Sequence, residues 1–231
     1  MQLSVSESAK RLGVSERRVR AMLGAGGIGG EKIGGRWIVT DLDRGAVERA
    51  PIRPLSPRAC WILIDSADAS RARAARVTSA VEKHRLGERL GRLQAAPDPL
   101  PLLRAWLVNR AVLRGLRASL EDLKDLRADS RLALSGVSPP EAGLLAGNEV
   151  EAYISAADLR DLVDDYLLVE PRPHSPANVV LHVVSAEGAE SLAGHSVPLL
   201  AIAADLAERP GVREHDAARD LVRRILDDQS A

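Results

Sequence analysis

Arg17, Arg18 and Arg20 crowd three guanidinium groups onto one short segment, and Lys32 and Arg36 follow it closely. Guanidinium groups pair bidentately with guanine edges or with phosphates, so this spacing suits contact with nucleic acid. The bland alternative is a set of solvated charges, the usual fate of arginine on a short exposed helix. A second pattern lies further on, where Ser135-Gly136 precedes Glu149-Val150-Glu151. Two carboxylates separated by one residue point to the same face of a strand, an arrangement that can hold Mg²⁺. The histidines His84, His174, His182, His195 and His215 have no paired spacing, so no metal site is expected from them. Ser135 lacks the strand-turn-helix context of a nucleophile elbow, and no catalytic residue or cofactor is expected.

Capping residues and periodicity outline the elements that would hold these groups. Ser4 to Gly13 opens with a hydroxyl and an acid and closes on glycine, the pattern of one short helix. Ser15 then caps a second, Glu16 to about Leu23, with Val19 and Leu23 on one face and the three arginines on the others. A three-residue turn between two short helices is the helix-turn-helix spacing. After a Gly-rich connection, residues 31–39 read as two strands around Gly34-Gly35, a basic wing in which Trp37 is a core residue rather than a base contact. Thr40 is expected to cap a third helix through Arg49, and Pro51, Pro54 and Pro57 to mark a linker or turn.

Residues 58–128 read as mainly helical, with an Arg-rich amphipathic stretch from Arg71 to Leu93 and a second helix-like region toward Arg127. Arg71, Arg73, Arg76, Arg85, Arg89 and Arg92 either extend a phosphate-binding surface or are solvated. From Leu132 the texture turns to α/β. Strands are expected at residues 132–134, 150–154 and 179–184, helices at 157–166 and 214–226, and an extended run at 197–202.

Composition bounds the class. The chain has 231 residues with 45% apolar and 28% charged, enough for two small domains, and its three Trp, two Tyr and absent Phe require an aliphatic core. A single cysteine, Cys60, excludes an internal disulfide and a thiolate cluster and fits a reducing cytoplasm. No stretch approaches the ~18 apolar residues of a membrane span, so a membrane role is not expected. The formal charge of zero conceals a polarity: residues 1–128 carry 24 Lys and Arg against 14 Asp and Glu, residues 129–231 carry 8 against 18. Either the front half meets a polyanion, or basic and acidic faces pair inside one protein.

The front pattern, from Ser4-Val5-Ser6-Glu7-Ser8-Ala9-Lys10-Arg11-Leu12-Gly13-Val14-Ser15-Glu16-Arg17-Arg18-Val19-Arg20 to Gly34-Gly35-Arg36-Trp37, resembles the excisionase and MerR-like winged helix-turn-helix family. The resemblance implies a recognition helix carrying Arg17, Arg18 and Arg20 behind its Ser15 cap, a wing applying Lys32 and Arg36 to the backbone, and double-stranded DNA as partner. One such module discriminates weakly, so a homodimer or partner-driven oligomer is expected. The rear half resembles AbiEi-type abortive-infection antitoxins through Arg131-Leu132-Ala133-Leu134-Ser135-Gly136-Val137-Ser138, the strand at 150–154 and Pro198-Leu199-Leu200-Ala201-Ile202-Ala203-Ala204-Asp205-Leu206. That likeness implies autoregulation and a nucleotidyltransferase-like toxin as protein partner. The Ser-Gly and Glu-Val-Glu words also resemble a degenerate polymerase-beta type nucleotidyltransferase, with the Gly-Ser order inverted and glutamates in place of aspartates.

The expected fold is therefore α+β: a winged helix-turn-helix at 1–50, a helical connecting region at 51–128 and an α/β interaction domain at 129–231, resembling a degenerate nucleotidyltransferase. The expected function is a bacterial DNA-binding autorepressor and antitoxin rather than an enzyme. The alternatives are an excisionase-like recombination accessory factor and a nucleotidyltransferase using Glu149 and Glu151.

Overall fold

In the computed structural model, residues 3–12, 14–24, 28–41, 52–68, 77, 79–143, 147–193 and 196–228 are described. At the front, a two-residue strand β1 (Leu3–Ser4) leads into helix α1 (Val5–Leu12). Ser4 and Glu7 form a reciprocal capping box: the Ser4 amide donates to Glu7 Oε2 at 2.8 Å and the Glu7 amide to Ser4 Oγ at 3.2 Å. The Ser4 hydroxyl, donating to Glu7 Oε2 at 2.7 Å, and the Ser4 amide hold the Glu7 carboxyl below its ordinary value. Ser15 opens α2 (Glu16–Gly24), its Oγ accepting from the Arg18 amide at 3.3 Å. Strands β2 (Gly29–Ile33) and β3 (Arg36–Asp41) then form a hairpin, and the sheet runs β1-β3-β2, all antiparallel. Gly34 and Gly35 have φ of +57° and +82°, the left-handed pair that a tight hairpin turn of this twist requires. Val5, Ala9, Val19, Met22, Leu23, Ile28 and Val39 close a small core, against which Trp37 packs as expected. Thr40 continues β3 rather than capping a helix, lying at the register shift between the paired Val39 and Asp41; residues 42–51, where that helix was expected, lie outside the described residues.

Contacts divide the chain into two units, Met1–Ile52 and Arg53–Ala231. The second begins with α3 (Pro57–Ala67), so Pro57 starts a helix instead of ending a linker; Ser56 caps it by accepting from the Ala59 amide, and proline suits the first helical turn. Next come α4 (Ala80–Ala95) and α5 (Leu100–Leu107). Residues 71–76 of the expected Arg-rich helix lie outside the described residues.

The sheet of this unit has the order β4-β7-β6-β5, built from β4 (Val112–Leu116), β5 (Ala133–Leu134), β6 (Val150–Ser155) and β7 (Val179–Val184). β6 and β7 run parallel and the two outer pairs antiparallel. The helical reading toward Arg127 is thus corrected at β4, where Val112 and Gly115 weaken a helix and a free β7 edge supplies the pairing. The division expected at residue 128 cuts through this one sheet. α6 (Leu123–Ala128) and α7 (Leu159–Asp165) pack on one face through Val150, Ala152, Ile154, Val179 and Leu181. After α8 (Ala186–Leu192) the chain forms α9 (Leu199–Glu208) and α10 (Val212–Asp228). The run at 197–202, expected to be extended, enters α9: its short apolar stretch fits either period, and the alanine-rich continuation after Pro198 decides for helix. No helix among the described residues is long and apolar enough to cross a membrane.

Candidate nucleic-acid interface

Helix α2 is two-sided. Val19, Met22 and Leu23 are buried at 0–8% exposure, while Arg17, Arg18 and Arg20 are exposed. At 100° per residue, Arg17 and Ala21 stand opposite the buried stripe, and Arg18 and Arg20 flank it on either side. Arg20 lies against Glu16, Nη2 to Oε2 at 2.7 Å, an exposed pair one turn apart. Lys32 is exposed on β2, opposite Trp37 in the hairpin register, and Arg36 opens β3 opposite Ile33. One core therefore carries both the basic helix and the basic hairpin.

The words Ser135-Gly136 and Glu149-Val150-Glu151 also come together, on the other unit. The Ser135 amide donates to Glu151 O at 2.8 Å, and Gly136, at φ +59°, lies where a Cβ would run into the Glu151 carboxylate. The two acids do share one face, but a guanidinium occupies it: Arg209 donates through Nη1 to Glu149 Oε1 at 2.8 Å and through Nη2 and Nε to Glu151 Oε2 at 2.7 and 2.9 Å. His182 Nε2 takes the other Glu151 oxygen at 2.9 Å.

This pair is one end of a buried ionic network on the sheet face away from α6 and α7. Alternation along β6 sends Glu151 and Tyr153 there, and register pairs Tyr153 with His182, whose rings stack at 4.7 Å. Asp205 of α9 accepts from Tyr153 Oη at 2.9 Å, from Arg110 Nη2 at 2.6 Å and from Ser135 Oγ. Arg110 also reaches Glu208 through Nη1 and Nη2 at 2.6 and 2.8 Å. Burial works against ionised Glu151, yet the hydrogen bond and charge of His182 and the charge of Arg209 outweigh it and hold its carboxyl below the ordinary value. Burial likewise opposes protonated His182, and the charge of Asp205 with the Glu151 hydrogen bond outweighs it, raising the imidazole. Cys60, buried in α3, has its thiol pushed up to about 11, chiefly by burial, so it is protonated and inert at neutral pH.

Sequence spacing missed this network. The signal was present as lone charges inside apolar runs: His182 within Val179–Val184 and Asp205 within α9. A buried charge needs a partner, so each announces another that only the fold can name. Ligand atoms of Glu151, His182 and Asp205 lie within 4.8 Å of one another, close enough to hold a cation, but both carboxylates already carry guanidinium partners. No protein-family model, curated protein or solved structure matches the chain.

Proposed function

We propose that the front unit is a winged helix-turn-helix that binds double-stranded DNA and that the chain is a sequence-specific autorepressor, the antitoxin of a toxin–antitoxin pair. One observation carries the reading: α2 buries one face and exposes Arg17, Arg18 and Arg20 on the others, beside a hairpin with exposed Lys32 and a Gly-Gly turn. In this reading α2 enters the major groove, Arg17 and Arg20 meet base edges, Arg18 meets phosphate, and Lys32 and Arg36 follow the backbone. Two copies on a palindromic site supply the discrimination one module lacks. The rear unit is a nucleotidyltransferase-like scaffold without that chemistry, its Glu149 and Glu151 neutralised by Arg209, and the acidic residues 129–231 offer a surface to a basic toxin.

The test is retardation of the protein's own promoter fragment against random duplex across a salt series. Preference for the promoter, with log affinity falling by roughly 0.9 per phosphate contacted for each log unit of salt, is expected. Equal weak binding to both duplexes at every salt concentration overturns the repressor reading. The antitoxin part is tested by co-purification with the neighbouring gene product, and failure of that protein to associate removes it.

A further inference from the structure

Between the start of α3 and the flank of α4 lies a groove of about 530 Å³. Its α4 wall is a stripe at helical spacing, Glu82, Arg85 and Arg89, and Arg53 faces it from the segment before α3. Its floor is apolar: Leu55 and Ile62 are buried and Ala59 half-buried. The wall before α3 is rigid. The Leu55 amide donates to Trp106 O at 3.1 Å, and Leu55 O accepts from Asn109 Nδ2 at 2.8 Å, which pins the chain just ahead of the Ser56 cap. Arg58 Nη1 meets Glu82 Oε1 at 3.2 Å and ties α3 to α4.

Glu82 is the acidic residue of the lining, and it is engaged by Arg58. Arg53, Arg85 and Arg89 form no ion pair with a described residue, in contrast to Arg110, Arg131, Arg209 and Arg219 of the same unit. Three like charges converging on one concavity repel one another until an anion enters, and planar guanidinium forks match phosphate oxygens. Local charge agrees, since residues 53–128 hold 15 Lys and Arg against 8 Asp and Glu. Arginines on a convex helix are usually just solvated. Here they line a cavity of the size that small organic ligands occupy, roughly 300–1,000 Å³, with an apolar floor for the part of a ligand that is not phosphate.

We propose that this groove binds a phosphate group, with Arg53, Arg85 and Arg89 as its donors. The phosphate comes from a small phosphorylated organic anion or from a nucleic-acid backbone, and the site is separate from α2 and its hairpin. The test is titration calorimetry of the full chain at low salt with pyrophosphate, with ATP and with a mixed-sequence 16-bp duplex. The duplex is titrated into an R17E/R18E background, so that failure of the DNA-binding reading leaves this test intact. Saturable binding is expected, weakened at least about tenfold by R85S/R89S and by R53S, and unchanged by R213S/R224S, which removes two exposed charges from α10. Binding of ATP or pyrophosphate but not duplex assigns the site to a small anion. Duplex binding that disappears with R85S/R89S assigns it to the backbone. Absence of saturable binding by all three probes, or equal loss in both double variants, overturns the proposal. Unchanged thermal melting of R85S/R89S and R53S shows that the loss is not unfolding.

Discussion

Arginine does opposite work on α2 and in the interior of the rear unit. On α2, Arg17, Arg18 and Arg20 stand in solvent around a helix whose core face is made by Val19, Met22 and Leu23. In the rear unit Arg110 is 3% exposed and donates to Asp205, Glu208 and Tyr153, while Arg209 clamps Glu149 and Glu151. The first arrangement is solvent-exposed and contributes little to stability. The second consumes its charge internally, and removing one partner strands the others in a low-dielectric interior. One front-half cation is of this second kind, since Arg110, before residue 129, is spent on Asp205 and Glu208 after it. Of the excess positive charge before residue 129, only part is left for a polyanion.

The sharpest way to break this contrast is Arg110→Met. It leaves Asp205 and Glu208 without their cation and is expected to cost about 3–5 kcal/mol in urea unfolding. Arg17→Met should change stability by no more than about 0.5 kcal/mol; comparable losses in the two variants would erase the distinction between the units.

Function should show the reverse order. R17E/R18E is expected to weaken promoter binding by about 3 kcal/mol, roughly a hundredfold, with melting unaltered. Unchanged retardation would remove α2 from the interface.

Between these lies Gly136→Ala, which puts a methyl against the Glu151 carboxylate at a left-handed backbone position. It is expected to destabilise the rear unit by about 2 kcal/mol, read by denaturation, and to leave DNA binding intact at temperatures where the chain is folded.

A smaller effect follows from pH. His182 is raised above 6.5 in the folded state, so its contribution is complete below that value and is lost as pH rises through the folded pKa. Glu151 is lowered from 4.5, so its contribution is present above that value and is lost as pH falls through the folded pKa. The pair therefore stabilises most between about 4.5 and 6.5, facing Asp205, Arg110, Arg209 and a Tyr153 kept neutral by burial. Urea unfolding from pH 4 to 8.5 should show wild-type stability falling above pH 6.5 by up to about 1.4 kcal/mol per pH unit, and His182→Gln should lack that fall. Parallel curves would mean that the imidazole is not the titrating group. The smallest change is Arg20→Ala, which breaks the exposed pair with Glu16 and should cost about 0.3–0.5 kcal/mol of stability.

What was legible in the sequence is what neighbours along the chain decide. The Ser4–Glu7 cap, the Ser15 cap, the Gly34-Gly35 turn, the buried stripe of α2 and the bounds of β7 each depend on residues a few positions apart, and each reads directly. Other features needed partners from far away. Strand β4 exists because β7 offers it an edge, and α9 is a helix although its opening run suits either period. The Glu-Val-Glu word did meet its Ser-Gly word, yet its chemistry turned on Arg209, 58 residues beyond Glu151. Sequence by itself set Glu151, His182 and Asp205 as lone ionisable groups among apolar neighbours, a sign of buried charge that motif spacing did not use. Only the tertiary structure decided that the partners are Arg110 and Arg209, because the identity of a counter-charge is a property of the packed interior rather than of the chain around it.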